Sequence, residues 1–354
     1  MVQKILIRGT NWIGDAIMTF PALSYLKQLY PQAQLDLMAR PWVSPVYRCH
    51  PDVHQVLECP AGSSLIERLF HLLRFASKAK GKGYEMGVAL PNSFESALVL
   101  RLAGIGDICG YATDFRSILL KKAVPVPRDK EERHHVFYYL GLVRALARSD
   151  IEPDPSVLKL KLRLPRKEQE KARTFLNMIR LRNNLGADSF FAGFNPGAAF
   201  GPAKCWPSSR FSELASLLLK EFPNLHILVF GTEKEQEIAE EIKKEAPGRI
   251  SNLCGATTLL EAVALINQLH LLVTNDSGLM HVGAACAIPL VAIFGSTNPT
   301  ATGPWSDKAR VISLDLECAP CMSRKCTRDF KCMLGISAEN VFSACKEMLL
   351  GHSR

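Results

Sequence analysis

The chain has 354 residues, is 47% hydrophobic and 22% charged, and carries nine more basic than acidic side chains. Those proportions are ordinary for a soluble globular protein, and the length suits two domains of typical size. No basic segment followed by an uninterrupted apolar stretch opens the chain, and no apolar run approaches the ~20 residues that span a bilayer, which argues against a secretory leader or membrane span and for a cytoplasmic location.

Strand and helix signals alternate from the start. Lys4–Arg8 (KILIR) reads as a short apolar strand, 16–29 as a helix, and Gln34–Ala39, 53–59 and 86–90 as further strands. Amphipathic helices over 63–79 and 93–103 accompany them, which is the pattern of βαβ units. Residues 158–164 (LKLKLRL) alternate apolar and basic side chains, follow the proline-rich 152–155 and precede a charged helix over 166–180, so the domain junction belongs near there. The second half repeats the pattern with strand 190–194, helix 211–222, strand 226–230, helices 234–245 and 259–269, and strand 271–274. A small-residue helix over 282–287 and strands 290–294 and 310–314 follow. The expected architecture is α/β: two Rossmann-like doubly wound domains, 1–165 and 166–337, facing a central cleft. A last segment, 338–354, holds a helix that can cross back onto the first domain.

The basic excess is uneven, with 19 basic and 13 acidic side chains in the first 150 residues. Such a bias suits nucleic acid, an anionic membrane surface or a phosphorylated acceptor. No run of Lys and Arg with interleaved aromatics appears, so a plain solvated basic face is the alternative.

Four loops fall where strands should end, the edge at which open α/β sheets bind ligands. The most informative is Thr274-Asn275-Asp276-Ser277-Gly278-Leu279-Met280-His281, which opens directly into a helix and aims backbone N–H groups, a carboxylate and an imidazole at one point. That point suits a phosphorylated ligand; an ordinary capped turn is the alternative. Gly9-Thr10-Asn11-Trp12-Ile13-Gly14-Asp15 follows the first strand, and Asp15 reads either as that helix's cap or as a general base for an acceptor hydroxyl. In 195–207 (NPGAAFGPAKCWP), Gly197 and its small neighbours allow close backbone approach and Lys204 supplies a point charge for a phosphate. In Gly231-Thr232-Glu233, Glu233 can accept hydrogen bonds from a ribose or simply open the next helix.

The segments KILIRGTNWIGDAIMTFPAL, PNSFESALVLRLAGI, NPGAAFGPAKCWP and VTNDSGLMHVGAA, with FGSTNPT after the last, resemble the ADP-heptose:lipopolysaccharide heptosyltransferases, glycosyltransferase family 9. The similarity is greatest to the heptosyltransferase II branch, which adds the second heptose of the inner core. It implies a GT-B fold and an inverting transfer from ADP-L-glycero-D-manno-heptose without a dinucleotide cofactor. Heptose addition at another core position and a different GT-B nucleotide-sugar enzyme are the alternatives. Asp15 matches the family's base and Lys204 the lysine near the donor phosphates. Asp276, Ser277, Gly278, Leu279 and His281 match the donor block, and Glu233 the position that reaches the adenosine ribose. Where some relatives carry adjacent threonines before the lysine, this chain has Ala198-Ala199-Phe200, so backbone amides would have to replace those hydroxyls.

Under that resemblance, negative charge growing on the diphosphate is met by Lys204 and the amides around 277–279, while Asp15 takes the acceptor proton. No Asp-x-Asp occurs, and the Asp-x-Glu triplets starting at Asp129, Asp150 and Asp315 lie in charged or linker-like segments, so no metal or cofactor is expected for catalysis. The implied acceptor is a lipid A-linked inner-core oligosaccharide, met by a peripheral enzyme at the inner face of the cytoplasmic membrane, and nucleic acid is not an expected partner. Asn92, Ser93, Arg101, Arg116, Arg128 and Arg133 follow strand-like segments and are the acceptor-binding candidates, with ordinary surface roles as the alternative. Finally, Cys318, Cys321, Cys326 and Cys332 form C-x2-C-x4-C-x5-C, which suits a structural zinc ion, two disulfides or free thiols; a cytoplasmic location argues against the disulfides.

Overall fold

A computed structural model describes residues 2–147 and 153–351. It divides into two compact units, 1–163 and 164–354. The triplet starting at Asp150 and the last three residues of the expected 338–354 segment lie outside the described residues.

The first unit is built on six parallel strands: β1 (Lys4–Arg8), β2 (Gln34–Ala39), β3 (Gln55–Glu58), β4 (Met86–Ala89), β5 (Asp107–Tyr111) and β6 (Lys122–Val124). Their spatial order is β3-β2-β1-β4-β5-β6. The second unit repeats the plan with β7 (Phe190–Asn195), β8 (Leu225–Val229), β9 (Ile250–Asn252), β10 (Leu271–Asn275), β11 (Leu290–Ile293) and β12 (Ala309–Ile312), in the order β12-β11-β10-β7-β8-β9. Both are the doubly wound order, and the winding reverses between β1 and β4 and between β7 and β10. The loops after those strands therefore flank the crevice where such sheets take ligands. Central strands are apolar on both faces: Ile5, Leu6 and Ile7 of β1 and Leu271, Leu272 and Val273 of β10 are wholly buried, as strands covered by helices on both sides must be.

Three departures from the sequence expectation have local causes. The helix over 16–29 is two helices, Ile13–Met18 and Phe20–Leu29, because Pro21 has no N–H to give to Ile17 and its ring crowds that carbonyl. The helix expected over 282–287 begins earlier, at Gly278, because Ser277 caps it by accepting the Met280 N–H at 3.4 Å. Strands β5, β6 and β9 and the helix His135–Arg144 carry too few residues or too little alternation to register as periodic runs. The final helix, Ala338–Gly351, packs on Ser208–Glu221 within the second unit and contributes Val341, Ala344 and Cys345 to its core.

Two histidines are built into these cores as neutral groups. His226 on β8 is wholly buried, shares a 2.9 Å hydrogen bond with Ser251, and is pushed down to about 4 by burial and then by nearby Arg249. Burial also drives His50, packed edge-on to Phe20 with ring centroids 4.7 Å apart, down to about 4. Folded values below the unfolded one mean that this stability is complete above about pH 6.5 and is lost as pH falls towards 4, since unfolding lets both rings take up protons. The urea midpoint should therefore drop between about pH 7.5 and about pH 5, and the drop should be smaller in His226→Gln than in the wild type. An equal drop in both proteins would remove His226 from the effect.

Candidate active site

In the second unit, the ends of β7 and β10 and the loops after them form one polar constellation. Lys204 Nζ lies 2.5 Å from Asp276 Oδ2, with the two side chains 13% and 5% exposed. The same carboxylate oxygen accepts the Thr297 hydroxyl at 2.6 Å, so Asp276 is held from two loops. Ser277 sits at the N-cap of the helix Gly278–Ala285, and its hydroxyl donates to Asn195 Oδ1 at 2.6 Å. Capping by Ser277 meets the Met280 N–H, while the earlier N–H groups, including those of Gly278 and Leu279, have no partner one turn back and mark an anion-favouring helix start.

Loop 196–206 is shaped by what it passes. Gly197 has Glu235 against it, so that a Cβ there would lie 2.8 Å from Glu235 Cγ. Gly201 adopts φ +152°, a conformation L side chains rarely take, and has the Arg324 carbonyl where a Cβ would point. Phe200, the last residue of Ala198-Ala199-Phe200, has Lys204 Nζ 4.7 Å and the Arg324 guanidinium 5.5 Å from its ring centroid. Two cations thus lie against one aromatic ring beside a single carboxylate, which leaves the locus net positive. Thr232 and Glu235 form the capping box of the next turn, Glu235 Oε2 accepting the Thr232 N–H at 2.7 Å, and Glu233 is the first residue of the turn that this box caps. Glu233 is exposed at the carboxyl end of β8. His281 is 3% exposed, within the first turn of its helix.

The first-unit candidates separate into two groups. Asp15 lies in the first turn of Ile13–Met18 rather than at its cap, which is Trp12, and its Oδ1 accepts the Tyr139 hydroxyl at 3.1 Å. Burial, and then the Asp15 charge, push the Tyr139 hydroxyl well above its ordinary range, so it remains a donor to the carboxylate. The neighbouring Tyr138 donates to Asn92 Oδ1 at 2.9 Å and lines a cavity of about 210 Å³ with Arg133, Lys130 and His134. Asn92 and Ser93 are exposed just beyond β4, and Arg128 is exposed beyond β6. Arg116, by contrast, is wholly buried: its Nε donates to the Tyr111 carbonyl at 2.8 Å and its Nη1 to Ser96 Oγ at 2.7 Å and to the Pro91 carbonyl. Arg101 donates to the carbonyls of Leu119 at 2.7 Å and Gly106 at 3.2 Å. Both arginines brace backbone, Arg116 out of reach of solvent and Arg101 from a half-buried position.

Sequence reasoning missed Tyr138 and Tyr139, because the helix carrying them was not recognised, and missed Thr297 and Arg324, whose roles depend on loops folding back. The aromatic cluster Phe137-Tyr138-Tyr139 was the available signal. Cys318, Cys321, Cys326 and Cys332 all line one cavity of about 520 Å³, and burial followed by the other three thiols pushes the Cys332 thiol up. All four are free thiols, and among the described residues no three His, Cys, Asp or Glu side chains are arranged to hold a metal ion. Their segment buttresses the Lys204 loop: the Arg324 carbonyl accepts the Ala203 N–H at 3.1 Å and Met322 N–H donates to the Ser296 carbonyl at 2.7 Å. Among the described residues no helix is long and apolar enough to cross a membrane.

Residues 72–331 match the model for glycosyltransferase family 9 (heptosyltransferase). The chain is 38% identical over 328 residues to lipopolysaccharide heptosyltransferase 2 of Escherichia coli K12, covering 88% of each sequence. It is 31% identical over 355 residues to lipooligosaccharide heptosyltransferase 2 of Campylobacter jejuni serotype O:2, covering 98% of each. Among solved structures it is similar to the E. coli ADP-heptose lps heptosyltransferase II, with a TM-score of 0.79 and 31% identity over 99% of this chain and 100% of that one.

The Lys204–Asp276 pair is buried enough for removal of one partner to be costly. Asp276→Asn should destabilise the fold by about 3 kcal/mol in urea unfolding, because it strands the ammonium without its counter-charge. Adding Lys204→Met should recover part of that loss in a double-mutant cycle. A cost below about 0.5 kcal/mol would mean that solvent screens the pair as it does at a surface.

Proposed function

The chain belongs to glycosyltransferase family 9, the heptosyltransferases, and on that premise we propose that it transfers heptose from ADP-L-glycero-D-manno-heptose to the inner-core heptose of lipopolysaccharide, the second heptose addition. The Lys204–Asp276–Ser277 constellation at the reversal point of the second sheet supports the donor half of this reading most directly. Similarity to the heptosyltransferase 2 relatives over nearly nine-tenths of both chains supports the acceptor half.

The chemistry assigned to each group follows from its surroundings. Asp276 fixes Lys204 through one N–H, and the ammonium's other donors meet the diphosphate. As the bond from the anomeric carbon to ADP breaks, charge accumulates on the departing phosphate. Lys204 and the amides at the start of Gly278–Ala285 stabilise that charge more than they stabilise the bound donor. Gly197, whose missing side chain makes room for Glu235, leaves its backbone to face the ligand, and the exposed Glu233 carboxylate accepts from the ribose hydroxyls. Asp15 removes the proton of the attacking hydroxyl, and attack on the face opposite ADP inverts the configuration. Tyr139 acts through Asp15 by orienting it. Asn92, Ser93, Arg128 and Arg133 remain the acceptor contacts in this reading. The acceptor is lipid-linked, so the enzyme works as a peripheral protein at the cytoplasmic face of the membrane. No metal takes part in the transfer, since Lys204 and a helix start perform the ion's electrostatic role.

Two outcomes test this assignment. With ADP-heptose and a deacylated inner-core acceptor, Asp15→Asn should lower kcat about a hundredfold with ADP affinity unchanged, and Tyr139→Phe should cost far less. Lys204→Ala should weaken ADP in calorimetry and slow transfer as well. Asp15→Asn turnover within about threefold of wild type would remove the base, and unchanged ADP affinity would remove Lys204.

Dialysis against EDTA should leave transfer largely intact, and recovery of lost activity by magnesium would overturn the metal-free step. Elemental analysis of reduced protein reads a structural ion separately. Near-stoichiometric zinc that disappears in a Cys318/Cys321 double variant would assign the four thiols to zinc, in a site that forms only when the ion binds.

A further inference from the structure

The helix Leu65–Lys80 carries two apolar stripes where a helix on a sheet needs one. Leu72, Phe75, Ala76 and Ala79 are buried against the first unit's core. Ile66, Leu69, Phe70 and Leu73, spaced i, i+3, i+4 and i+7, form a second stripe that faces solvent, with Leu65 at its start. Their exposures are 81%, 49%, 58% and 48% for the four and 80% for Leu65, so this is a contiguous bare patch rather than scattered surface residues.

The flanks of the stripe are basic. Arg74, Lys78 and Lys80 are exposed and have no carboxylate partner among the described residues. The helix's one acidic residue, Glu67, is occupied by Ser63, whose N–H and hydroxyl donate to it at 2.8 and 2.6 Å. An apolar stripe bordered by unpaired cations on one surface helix is the arrangement that lies in the headgroup layer of an anionic bilayer.

Its location gives the patch a use. The helix links β3 to β4, so its N-terminal half lies at the carboxyl edge of the first sheet, where Asn92 and Ser93 also lie. Arg68 fixes it there by pairing with Glu95 at 2.9 Å, and Glu95 in turn pairs with Arg40, just beyond β2, at 2.7 Å. We infer that Leu65–Lys80 is an in-plane membrane-binding helix, inserting Leu65, Ile66, Leu69, Phe70 and Leu73 among the acyl chains of an anionic leaflet and setting Arg74, Lys78 and Lys80 against its headgroups. This rests on the reading of a lipid-linked acceptor and adds the surface that brings the first unit to it.

The test uses the full-length enzyme and vesicles of phosphatidylcholine with or without about a third phosphatidylglycerol. The wild type should sediment with the anionic vesicles, more weakly with the neutral ones, and less at high salt. Ile66→Gln/Leu69→Gln/Phe70→Gln/Leu73→Gln should lower the partition coefficient at least about a hundredfold, and Arg74→Gln/Lys78→Gln/Lys80→Gln about tenfold on anionic vesicles alone. Both variants alter only solvent-facing groups, so turnover on a deacylated, water-soluble acceptor should stay at the wild-type level. Sedimentation of the apolar variant equal to wild type would overturn the inference. So would a change from dimer to monomer in light scattering with unaltered vesicle binding, which would make the stripe a contact between copies. Loss of transfer by the wild type to the soluble acceptor would instead refute the enzymatic reading, whatever the vesicles do.

Discussion

The polar constellation of the second unit depends on two buried asparagines at the ends of neighbouring strands. Asn275, wholly buried at the end of β10, donates from Nδ2 to the Pro196 carbonyl at 2.6 Å and accepts the Trp206 N–H on Oδ1 at 3.1 Å. One side chain therefore closes both ends of the 196–206 loop. Asn195, ending β7, accepts hydroxyls from Ser277 at 2.6 Å and Thr274 at 3.1 Å while donating to the Phe230 carbonyl at 3.2 Å. An unmatched amide in such a place would cost roughly 1–3 kcal/mol, so each loop has one low-energy path. Lys204 and the helix start at Gly278 are placed by these bonds before any ligand arrives, which is the condition under which fixed donors stabilise developing charge.

Charge in that locus is balanced with equal care for desolvation. A lone buried ammonium would be costly, and the carboxylate of Asp276 meets that cost while tethering Lys204. Phe200 covers Lys204 from another side and gathers Arg324 with it, so two cations face one anion. Phe200 offers no hydroxyl, and its ring instead holds the two cations in place. The cysteine-rich segment enters the same account through its backbone. It supplies Arg324 and the carbonyl that fills the space Gly201 leaves open.

Much of this was legible in the sequence, and the limits were physical. Strands such as Lys4–Arg8 and Leu271–Asn275 are continuous apolar runs bounded by polar turns, and the donor block announces itself by its clustered Asn, Asp, Ser and Gly. By contrast, Lys122–Val124 and Ile250–Asn252 span three residues each, too few for any periodicity to show. The helix His135–Arg144 packs aromatic and branched side chains around most of its circumference, which blurs an amphipathic signal. Arg116 shows the deeper limit. Nothing in a sequence distinguishes an arginine that greets an anion from one that stitches carbonyls together, because the difference lies in which backbone happens to surround it.

That distinction organises the first unit. Arg8 and Arg116 are 2% and 0% exposed, and burial pushes each guanidinium down to about 10, which still leaves both charged at neutral pH. Five rigid donors make arginine suited to hold several loop carbonyls at once, as Arg116 does with Pro91 and Tyr111. A loop so anchored holds its exposed side chains, here Asn92 and Ser93, in a fixed pattern. The helix His135–Arg144 extends the same logic by giving Tyr138 to Asn92 and Tyr139 to Asp15 from adjacent positions. A shift of that helix would move the proposed acceptor contact and the proposed base together, so the two are held in register by one rigid element instead of by two independent loops.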